Sequence, residues 1–377
     1  MKRVGRFLWF WMLILTLSYT ILSVGSSFIP PKFFWGLYFL SYGLPIAIVF
    51  NLLAVGLYFI ARKRLFLIVV SNLILLFGLS NNWAFNTTEK DNTAHYSLLS
   101  YNVRLFDFYN WLSGNAWDDW KARTDNGAVL DSMYSLILNQ KTDFMCFQEY
   151  LNQVEGDYQT KEYFNKNGYP YAHIGYCVTG LTNNYGIATF SKYPIIRKKA
   201  SFFGTFGINN GFLVTDIQLN SDTIRIINAH LESYRLAKDD YRYLNLLSDS
   251  SIAKMERKQT VSLVKKIKRA FIARSNQLDS LVSIIEQSPH PIVLCGDLNE
   301  LPNSYLYRQL NSKLADSFRE KGTGLGSSFI TSIPGVRIDY TFHSKEIKTV
   351  KHEIIHRKLS DHYPLKFDFK LLNLTEE

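Results

Sequence analysis

The chain has 377 residues, with 42 lysines and arginines against 32 aspartates and glutamates, and its formal net charge is +10. Its length allows two or more structural units. Residues 1–88 contain no acidic residue and seven basic ones, so they carry +7 of the total and leave +3 for the rest of the chain. Because most of the positive charge lies in this apolar part, the charge does not indicate nucleic-acid binding.

Residues 1–80 contain three apolar stretches, at about 7–29, 34–61 and 65–79. A helix of about 20 apolar residues crosses a bilayer, so these stretches predict about three transmembrane helices, of which the third is the shortest. Two alternatives stay open. The third stretch could be a re-entrant or interfacial segment, and the first, with its basic start and small residues at 23–25, could be a cleaved signal peptide.

Basic residues flank two of these stretches: Lys2, Arg3 and Arg6 precede the first, and "RKR" at 62–64 separates the second from the third. Such residues mark the cytoplasmic ends of membrane helices. The pattern predicts an integral membrane protein whose N-terminus is cytoplasmic and whose residues after about Asn81 lie outside the cytoplasm. Cleavage of the first segment would leave that orientation unchanged.

The rest of the chain reads as one domain behind a linker. Residues 81–96 are polar and predict the linker, and residues 97–372 alternate short β-rich runs with helical patterns such as 127–140, which predicts a mixed α/β domain. The β-rich runs are 97–103, 143–148, 186–190, 212–219, 223–229, 291–296, 336–342 and 363–369. Cys146, Cys177 and Cys295 are odd in number, widely spaced and set in apolar runs, which predicts buried core residues rather than disulfide partners or zinc ligands.

A long helical pattern at about 235–287 forms a basic insertion between two of these β-rich runs. Within it, residues 254–274 carry eight basic residues and one acidic residue. An apolar stripe at helical spacing is formed by Val261, Leu263, Val264, Ile267, Phe271 and Ile272. Such a helix can lie on anionic lipid or contact nucleic-acid phosphates. It can equally pack its apolar face on the domain and leave its charges in water, and the sequence keeps both interpretations open.

Polar residues suited to metal and phosphate follow the β-rich runs at six places. In "CGDLNELPNS" at 295–304, Asp297 and Asn299 lie on one face of an extended chain directly after a buried run. The other positions are Asn102, Gln148 and Glu149, Asn228 and His230, Asp339, and Asp361 and His362. Each alone could be a capped turn or a satisfied core polar group. Together they predict one cleft, because a rigid scaffold gathers side chains at strand ends.

The residue types indicate metal-assisted phosphoester chemistry. Hard oxygen ligands are offered by Asn102, Glu149, Asp297, Asn299 and Asp361. These suit Mg²⁺, or Mn²⁺, held by few carboxylates together with water and substrate phosphate. His230 and His362 can stabilise charge on a phosphoryl oxygen or handle the leaving-group proton, and Asp339 can hold an imidazole in one tautomer.

At these residues the sequence resembles the endonuclease/exonuclease/phosphatase superfamily, which includes DNase I-like nucleases, inositol polyphosphate phosphatases and bacterial sphingomyelinases. The matching stretches occur in the family's order and span nearly all of residues 97–370: "SYNVR" at 100–104, "FQEY" at 147–150, "GIATFSKYPI" at 186–195, "NAHLES" at 228–233, "GDLNELPNS" at 296–304, "RIDYTF" at 337–342 and "SDHYPL" at 360–365. The resemblance implies an α+β, four-layer sandwich, in which two mostly antiparallel β-sheets pack face to face with helices outside. The membrane stretches and the basic insertion are not part of the family's shared core.

The resemblance also implies a role for each matching residue. Glu149 resembles the principal metal ligand, and Asn102 and Asp361 resemble the groups beside the metal. Asp297 resembles the group that orients or deprotonates the attacking water, and Asn299 a phosphate-contacting amide. The resemblance implies that His230 and His362 flank the scissile phosphate and that Asp339 supports His362.

The predicted activity is Mg²⁺-dependent hydrolysis of a phosphodiester or phosphomonoester. A lipid or other membrane-proximal phosphodiester is the first substrate hypothesis, and an extracytoplasmic nuclease is the second. Aromatic residues that could stack on bases, or lie at a lipid interface, are Tyr109, Trp111, Trp117 and Trp120. The third hypothesis is a non-catalytic binding module, which is disfavoured because every polar position that the chemistry needs is filled. The sequence indicates no protein partner.

Overall fold

The computed structural model describes residues 2–61, 64–86, 94–110, 128–204, 210–220, 222–235, 257–331 and 333–372. Three of the aromatic residues singled out above, Trp111, Trp117 and Trp120, lie outside these ranges, as do residues 62–63 of the basic loop and residues 236–256 of the basic insertion. The predicted site residues all lie within them.

Four helices form the N-terminal region: α1 (Lys2–Gly25), α2 (Pro31–Tyr42), α3 (Leu44–Ala61) and α4 (Leu65–Leu79). α1, α3 and α4 pack against one another around two small apolar clusters. Their contact includes polar side chains: Asn51 Nδ2 donates to Thr20 Oγ1 (2.9 Å), as does Ser71 Oγ (3.3 Å). Hydrogen bonds of this kind link helices that lie in apolar surroundings.

The structure divides the second predicted span. Val4–Phe28 is one continuous helical segment that is long and apolar enough to cross a membrane, whereas α2 and α3 meet at 47° and pass that test only as a bent pair. Pro45 explains the break, because its ring is accepted in the first turn of a helix but not in a helix interior. α4 has 15 residues and is shorter than a full span. The described helices therefore support one transmembrane span, or two if the bent pair counts as one span, whereas the sequence predicted about three.

Two six-stranded sheets form the centre of the described residues that follow the N-terminal region. In the first, the strand order is β13-β14-β2-β3-β5-β4, and in the second it is β10-β12-β9-β8-β7-β6. The first sheet contains β2 (Tyr96–Asn102), β3 (Phe144–Gln153), β4 (Tyr171–Thr179), β5 (Asn183–Ser191), β13 (Ile347–Ile354) and β14 (Leu365–Leu371). The second contains β6 (Ile195–Phe202), β7 (Gly211–Leu219), β8 (Asp222–His230), β9 (Ile292–Asp297), β10 (Ala315–Asp316) and β12 (Asp339–His343).

Helices cover the outer faces of the two sheets, which confirms the four-layer sandwich. α5 (Ala128–Asn139) and α6 (Thr160–Lys166) pack on the first sheet, and α7 (Arg257–Glu286) and α8 (Tyr305–Asn311) on the second. α9 (Ser317–Lys321) is a short helix after β10. Between the sheets lies a separate apolar cluster that includes Cys146 and Cys295, and Cys177 is also buried, as predicted for core cysteines.

Sequence patterns missed all four edge strands of the two six-stranded sheets, which are β4, β6, β10 and β13. Edge strands face water along one side and carry more polar and charged residues than central ones. β6, with the sequence "IIRKKASF", is largely exposed, and β13, "IKTVKHEI", alternates lysines with apolar residues. The central strands, which are buried and apolar, were all predicted to within a few residues.

The predicted linker is in part attached to the domain. β1 (Ala84–Phe85) pairs with β11 (Thr323–Gly324), and Asn86 donates hydrogen bonds from Nδ2 to the carbonyl oxygens of Arg319 (3.1 Å) and Gly322 (2.9 Å). These bonds join the end of the N-terminal region to the region around α9.

The basic insertion forms the long helix α7, preceded by irregular backbone at Arg235, where φ is +49°, and by residues outside the described ranges. Part of its apolar stripe packs on the rest of the chain. Leu263 and Phe271 are buried, and the ring of Phe271 packs against aromatic residues of α2. Lys265, Lys268 and Arg269 remain exposed. The first half of this helix therefore packs on the chain itself and solvates its charges, and lipid or phosphate binding by those charges stays a prediction.

Strand direction brings the polar strand ends together. Both sheets are mostly antiparallel, but β2 runs parallel to β3 and β8 parallel to β9, so each pair ends at the same edge. The register sets His230 beside Asp297, and Asp339, at the start of β12, lies opposite Asp297 from the other side. The predicted cleft lies where these strand ends meet.

Candidate active site

Asp297 ends β9 at a point where two strands approach closely. Gly296 has φ of +131°, and a Cβ atom built on it would lie 1.9 Å from the carbonyl oxygen of Ala229 in β8. Glycine alone allows this conformation and this approach. The sequence "CGD" therefore delivers the Asp297 carboxylate to the mouth of the cleft, where it is 2% exposed.

The Asp297 carboxylate is the centre of the cluster. Oδ1 accepts a hydrogen bond from the backbone N–H of Asn299 (2.9 Å), and Oδ2 accepts one from Asn102 Nδ2 (3.0 Å). Oδ2 also faces Nε2 of both His230 and His362 at 3.7 Å. Burial, followed by the charge of Asp339, raises the pKa of Asp297 to about 6, although the two histidines and the Asn299 N–H favour its ionised form.

His362 is held by Asp339. Its Nδ1 and Asp339 Oδ2 are 2.8 Å apart, so Nδ1–H donates to the carboxylate and Nε2 is directed to Asp297. Burial lowers the pKa of this imidazole, but the neighbouring carboxylates of Asp339, Asp297 and Asp361 outweigh it and raise the pKa to about 10. His362 is therefore an imidazolium at neutral pH, with Nε2–H facing the cleft.

His230 differs from His362 because its ring nitrogens have no hydrogen-bond partner among the described residues. It is 3% exposed, and neither ring nitrogen has a hydrogen-bond partner within the part of the chain that the structure describes. Nε2 lies 3.7 Å from Asp297 Oδ2 and 3.9 Å from Glu149 Oε1, which is beyond hydrogen-bond reach. Buried polar groups are nearly always satisfied, so a partner-free histidine between two carboxylates indicates room for a ligand.

Glu149 projects from a β-bulge. The register of β3 against β5 shifts between Phe147 and Tyr150, and Glu149 has φ of +48°, an uncommon conformation for a non-glycine residue. The bulge turns its side chain to the cleft, where Asn102 Nδ2 lies 3.3 Å from Oε1 and the side chain is 31% exposed. Such local strain recurs at functional sites.

Two further predicted residues occupy the rim. Asp361 forms an ion pair with Arg104 (NH1 to Oδ2, 2.6 Å), and its Oδ1 lies 4.0 Å from His362 Nε2. Asn299 donates from Nδ2 to the carbonyl oxygen of Leu231 (3.0 Å), which joins the loop after β9 to the loop after β8. All eight predicted site residues thus converge on one cleft, and their individual roles stay predictions.

Sequence reasoning did not assign roles to Arg104, Gln148 and Asn228. Arg104 neutralises Asp361, and its only signal was a basic residue two positions after Asn102. Gln148 and Asn228 are fully buried, and Gln148 Nε2 donates to Asn228 Oδ1 (2.7 Å) across the two sheets. This buried hydrogen bond links the two sheets directly beneath Glu149 and His230.

The donor set fits a hard divalent cation. Glu149, Asp297, Asp339 and Asp361 are carboxylates that share one cleft with two cations, Arg104 and the His362 imidazolium. The carboxylates outnumber these cations, and the remaining negative charge would stabilise a bound cation there. Asp297, Asp339 and His362 also bring ligand atoms within 4.8 Å of one another, but His362 Nδ1 is already bonded to Asp339. We therefore favour Glu149, the more open carboxylate, with Asn102 and Asp361 as the residues that would hold the ion.

Replacing Glu149 with Gln is expected to weaken binding of Mg²⁺ and Mn²⁺ by at least about 10- to 100-fold, because an amide oxygen is a neutral and weaker ligand for a hard cation. Isothermal titration of the full chain with each metal measures the effect. Glu155→Gln is the matched control, since Glu155 is an exposed carboxylate shortly after the same strand. Equal affinity in the wild type and Glu149→Gln would remove Glu149 from the ligand set.

Comparison with models of protein families gives two matches. A family described as the Endonuclease/Exonuclease/phosphatase family matches residues 99–362, and a domain of unknown function matches residues 5–83. A search of curated proteins finds no match.

Several solved structures are similar in fold. An endonuclease/exonuclease/phosphatase from Beutenbergia cavernae is 16% identical with a TM-score of 0.50, over 74% of this chain and 72% of that one. An endonuclease/exonuclease/phosphatase from Bacteroides vulgatus is 16% identical with a TM-score of 0.50, over 73% of this chain and 98% of that one. The human Nocturnin catalytic domain is 13% identical with a TM-score of 0.47, over 73% and 94%. At these identities the likeness concerns the fold alone.

Proposed function

The chain belongs to the endonuclease/exonuclease/phosphatase family, and from this premise we propose that it is a membrane-anchored, Mg²⁺-dependent hydrolase of a membrane-proximal phosphoester. Membership makes it a hydrolase of phosphoester bonds in a family that generally needs a divalent metal. The choice of Mg²⁺, the membrane anchorage and the kind of substrate are the parts that we propose.

One observation carries the proposal: the ring nitrogens of the buried His230 have no hydrogen-bond partner among the described residues, and Nε2 lies 3.7 Å and 3.9 Å from two carboxylates. A phosphoryl oxygen bound beside these carboxylates would accept a hydrogen bond from His230 and a second one from Nε2–H of His362. Two imidazoles on one phosphoryl group stabilise the charge that develops as the bond to the leaving group breaks. An unmet hydrogen-bonding capacity of this kind is costly unless the site receives a ligand.

Asp297 is placed to act on the attacking water. Its Oδ1 is fixed by the Asn299 N–H and its Oδ2 by Asn102, so the carboxylate is oriented before substrate binds. A water bonded to Oδ2 would be aligned for in-line attack and would give its proton to the carboxylate. A bound Mg²⁺ would supply Lewis-acid neutralisation of the phosphoryl oxygens.

Membrane anchorage is supported by exposed apolar side chains on the bundle of α1, α3 and α4. Leu8, Leu15, Leu52, Phe59 and Leu73 are each more than 60% exposed. Apolar surface of this extent is unusual on a protein that faces only water. Arg64 stacks on Phe10 (4.3 Å) at the basic end of the bundle. The opposite end contacts the sandwich, where Ser27 bonds to Arg308 and Asn81 to Arg337. This arrangement supports a cytoplasmic N-terminus and an extracytoplasmic sandwich.

A membrane-proximal substrate is supported by the short path from the cleft to the N-terminal helices. Glu300, whose carboxylate accepts a hydrogen bond from Tyr38 of α2 (3.0 Å), is three residues after Asp297. Three residues span at most about 11 Å. The exposed Lys265, Lys268 and Arg269 of α7 lie beside α2 as well, since Lys268 Nζ stacks on Trp35 (4.9 Å). Anionic headgroups would be attracted to these charges.

The test uses the full chain in lipid nanodiscs with a panel of phospholipids, inositol phosphates, DNA and RNA, each assayed with Mg²⁺, with Mn²⁺ and with EDTA. We expect release of phosphate or headgroup from a membrane lipid, at higher turnover with Mg²⁺ than with Mn²⁺ and lost with EDTA.

Other outcomes separate the alternatives. Turnover on nucleic acid alone, falling steeply with salt, would identify a nuclease instead, because binding to phosphate backbones releases counterions. A folded protein that binds metal and is silent on every substrate would contradict the enzyme that we propose.

A further inference from the structure

We propose that α2 is a positioning element of the active site: Tyr38 and Tyr42, acting through Glu300 and Arg274, hold the loops that carry the catalytic side chains. The N-terminal helices would then be part of the catalytic machinery's support as well as an anchor. The kinetic consequence of this inference rests on the proposed function, whereas its structural consequence does not.

Glu300 is the centre of the arrangement. It is 2% exposed, and its Oε2 accepts hydrogen bonds from the hydroxyls of Tyr38 (3.0 Å) and Tyr42 (2.8 Å), while Oε1 pairs with Arg274 Nε (2.6 Å). Burying a carboxylate without such partners costs several kcal/mol, so these bonds stabilise the arrangement. Both donors to Oε2 come from α2, so that oxygen is satisfied only when α2 is docked.

The same cluster reaches three of the segments that carry predicted site residues. Glu300 directly follows Asn299 and lies three residues after Asp297. Arg274 NH1 donates to the carbonyl oxygen of Glu232 (2.6 Å), two residues after His230. The hydroxyl of Tyr340, the neighbour of Asp339, donates to the carbonyl oxygen of Glu300 (2.7 Å).

Further contacts dock α2 onto the same loops. The Tyr305 backbone N–H donates to the Tyr38 hydroxyl (3.1 Å), and Asn303 Nδ2 donates to the carbonyl oxygen of Ser41. Tyr234, in the loop after His230, donates a hydrogen bond to the Tyr42 hydroxyl (2.8 Å). The Tyr42 hydroxyl in turn donates one to Glu300. The ring of Phe271 in α7 lies edge-on to Tyr38, with centroids 4.7 Å apart.

These contacts place α2 in a chain of bonds that ends at the reacting groups. A shift of the Glu300 backbone moves Asn299 and Asp297 with it, and a shift of Arg274 releases the loop after His230. Misplacement of reacting groups by about 1 Å can cost a large part of the rate. Loss of the two tyrosine hydroxyls is therefore expected to disturb the geometry of the cleft without removing any catalytic group.

The experiment compares the full-length wild type in nanodiscs with Tyr38→Phe/Tyr42→Phe. The matched control is Tyr19→Phe, which removes a hydroxyl of the same N-terminal region that donates to Gly43 and does not touch Glu300. We expect the double variant to lose about 10-fold or more in kcat with KM within about twofold, and the control to match the wild type. In the background of Glu300→Gln, removal of the same hydroxyls should change kcat by less than about twofold, because the tyrosines act through that carboxylate.

A second readout does not need activity. Hydrogen exchange of backbone amides at 230–235 and 297–305 is expected to quicken in Tyr38→Phe/Tyr42→Phe and to stay unchanged in Tyr19→Phe. Unchanged exchange, or a lower melting temperature with kcat unchanged, would overturn the positioning role. If the wild type turns nothing over while exchange responds as expected, the proposed function fails and the positioning of the loops stands.

Discussion

Replacing Asp297 with Asn is expected to lower kcat by about 10³- to 10⁴-fold, the upper part of the range for a general base, and to leave the protein folded. The amide cannot take a proton from water, and it keeps only one acceptor oxygen for the Asn299 N–H and Asn102. Steady-state kinetics on the substrate identified in the panel measure the effect. Metal binding should change less than in Glu149→Gln.

Stability should not follow activity in this variant. The pKa of Asp297 is raised to about 6 in the fold from an ordinary value of 3.8, so its ionisation opposes folding above about pH 4. Removing that charge offsets the lost hydrogen bond, which is worth about 1 kcal/mol. In EDTA the melting temperature of Asp297→Asn relative to wild type is therefore expected to be higher at neutral pH than near pH 4.

Asp368→Asn is the matched control for this prediction. Asp368 lies in β14 opposite Ser97, at the end of the sheet away from the cleft, and the same substitution there removes a half-buried carboxylate. Its kcat should equal that of the wild type. Retention of most activity by Asp297→Asn would show that this carboxylate does not act on the nucleophile.

The sequence allowed the cleft to be predicted because its evidence was local. Asp297 follows a buried apolar run directly at the end of β9, His230 ends β8, and Glu149 follows the apolar start of β3 at its bulge. Strand ends can be read from residue type and position within a few residues. Their convergence then depends on two parallel strand pairs, which lie within sheets that the family resemblance implied only to be mostly antiparallel.

The contacts of the N-terminal region could not be predicted in the same way. Tyr38 and Glu300 are separated by 262 residues, and an apolar helix gives no signal of which side chains it will meet. Periodicity identified the apolar face of α7 but not its occupant, which is in part α2. The break between α2 and α3 was missed because both halves are apolar, and Pro45 was the one local sign of it.

Asp339→Asn is expected to lower kcat by about 10²- to 10³-fold, with little change in KM. Asp339 Oδ2 accepts the Nδ1–H of His362, and its charge is foremost among those that raise the pKa of that imidazole to about 10. The amide carries no charge, so the pKa of His362 falls and the ring loses its fixed orientation. The imidazolium that faces the phosphoryl group is then less populated at neutral pH.

The matched control is Glu320→Gln. Like Asp339, Glu320 pairs with a histidine, but that histidine is His343 (2.9 Å), which lies outside the cleft. We expect the control to keep the wild-type kcat. His362→Gln should cost about as much as Asp339→Asn, and the double variant little more than either, because the two residues act as one unit. Multiplying losses would instead mean that Asp339 acts on the reaction independently of His362, as it would if it were itself a metal ligand.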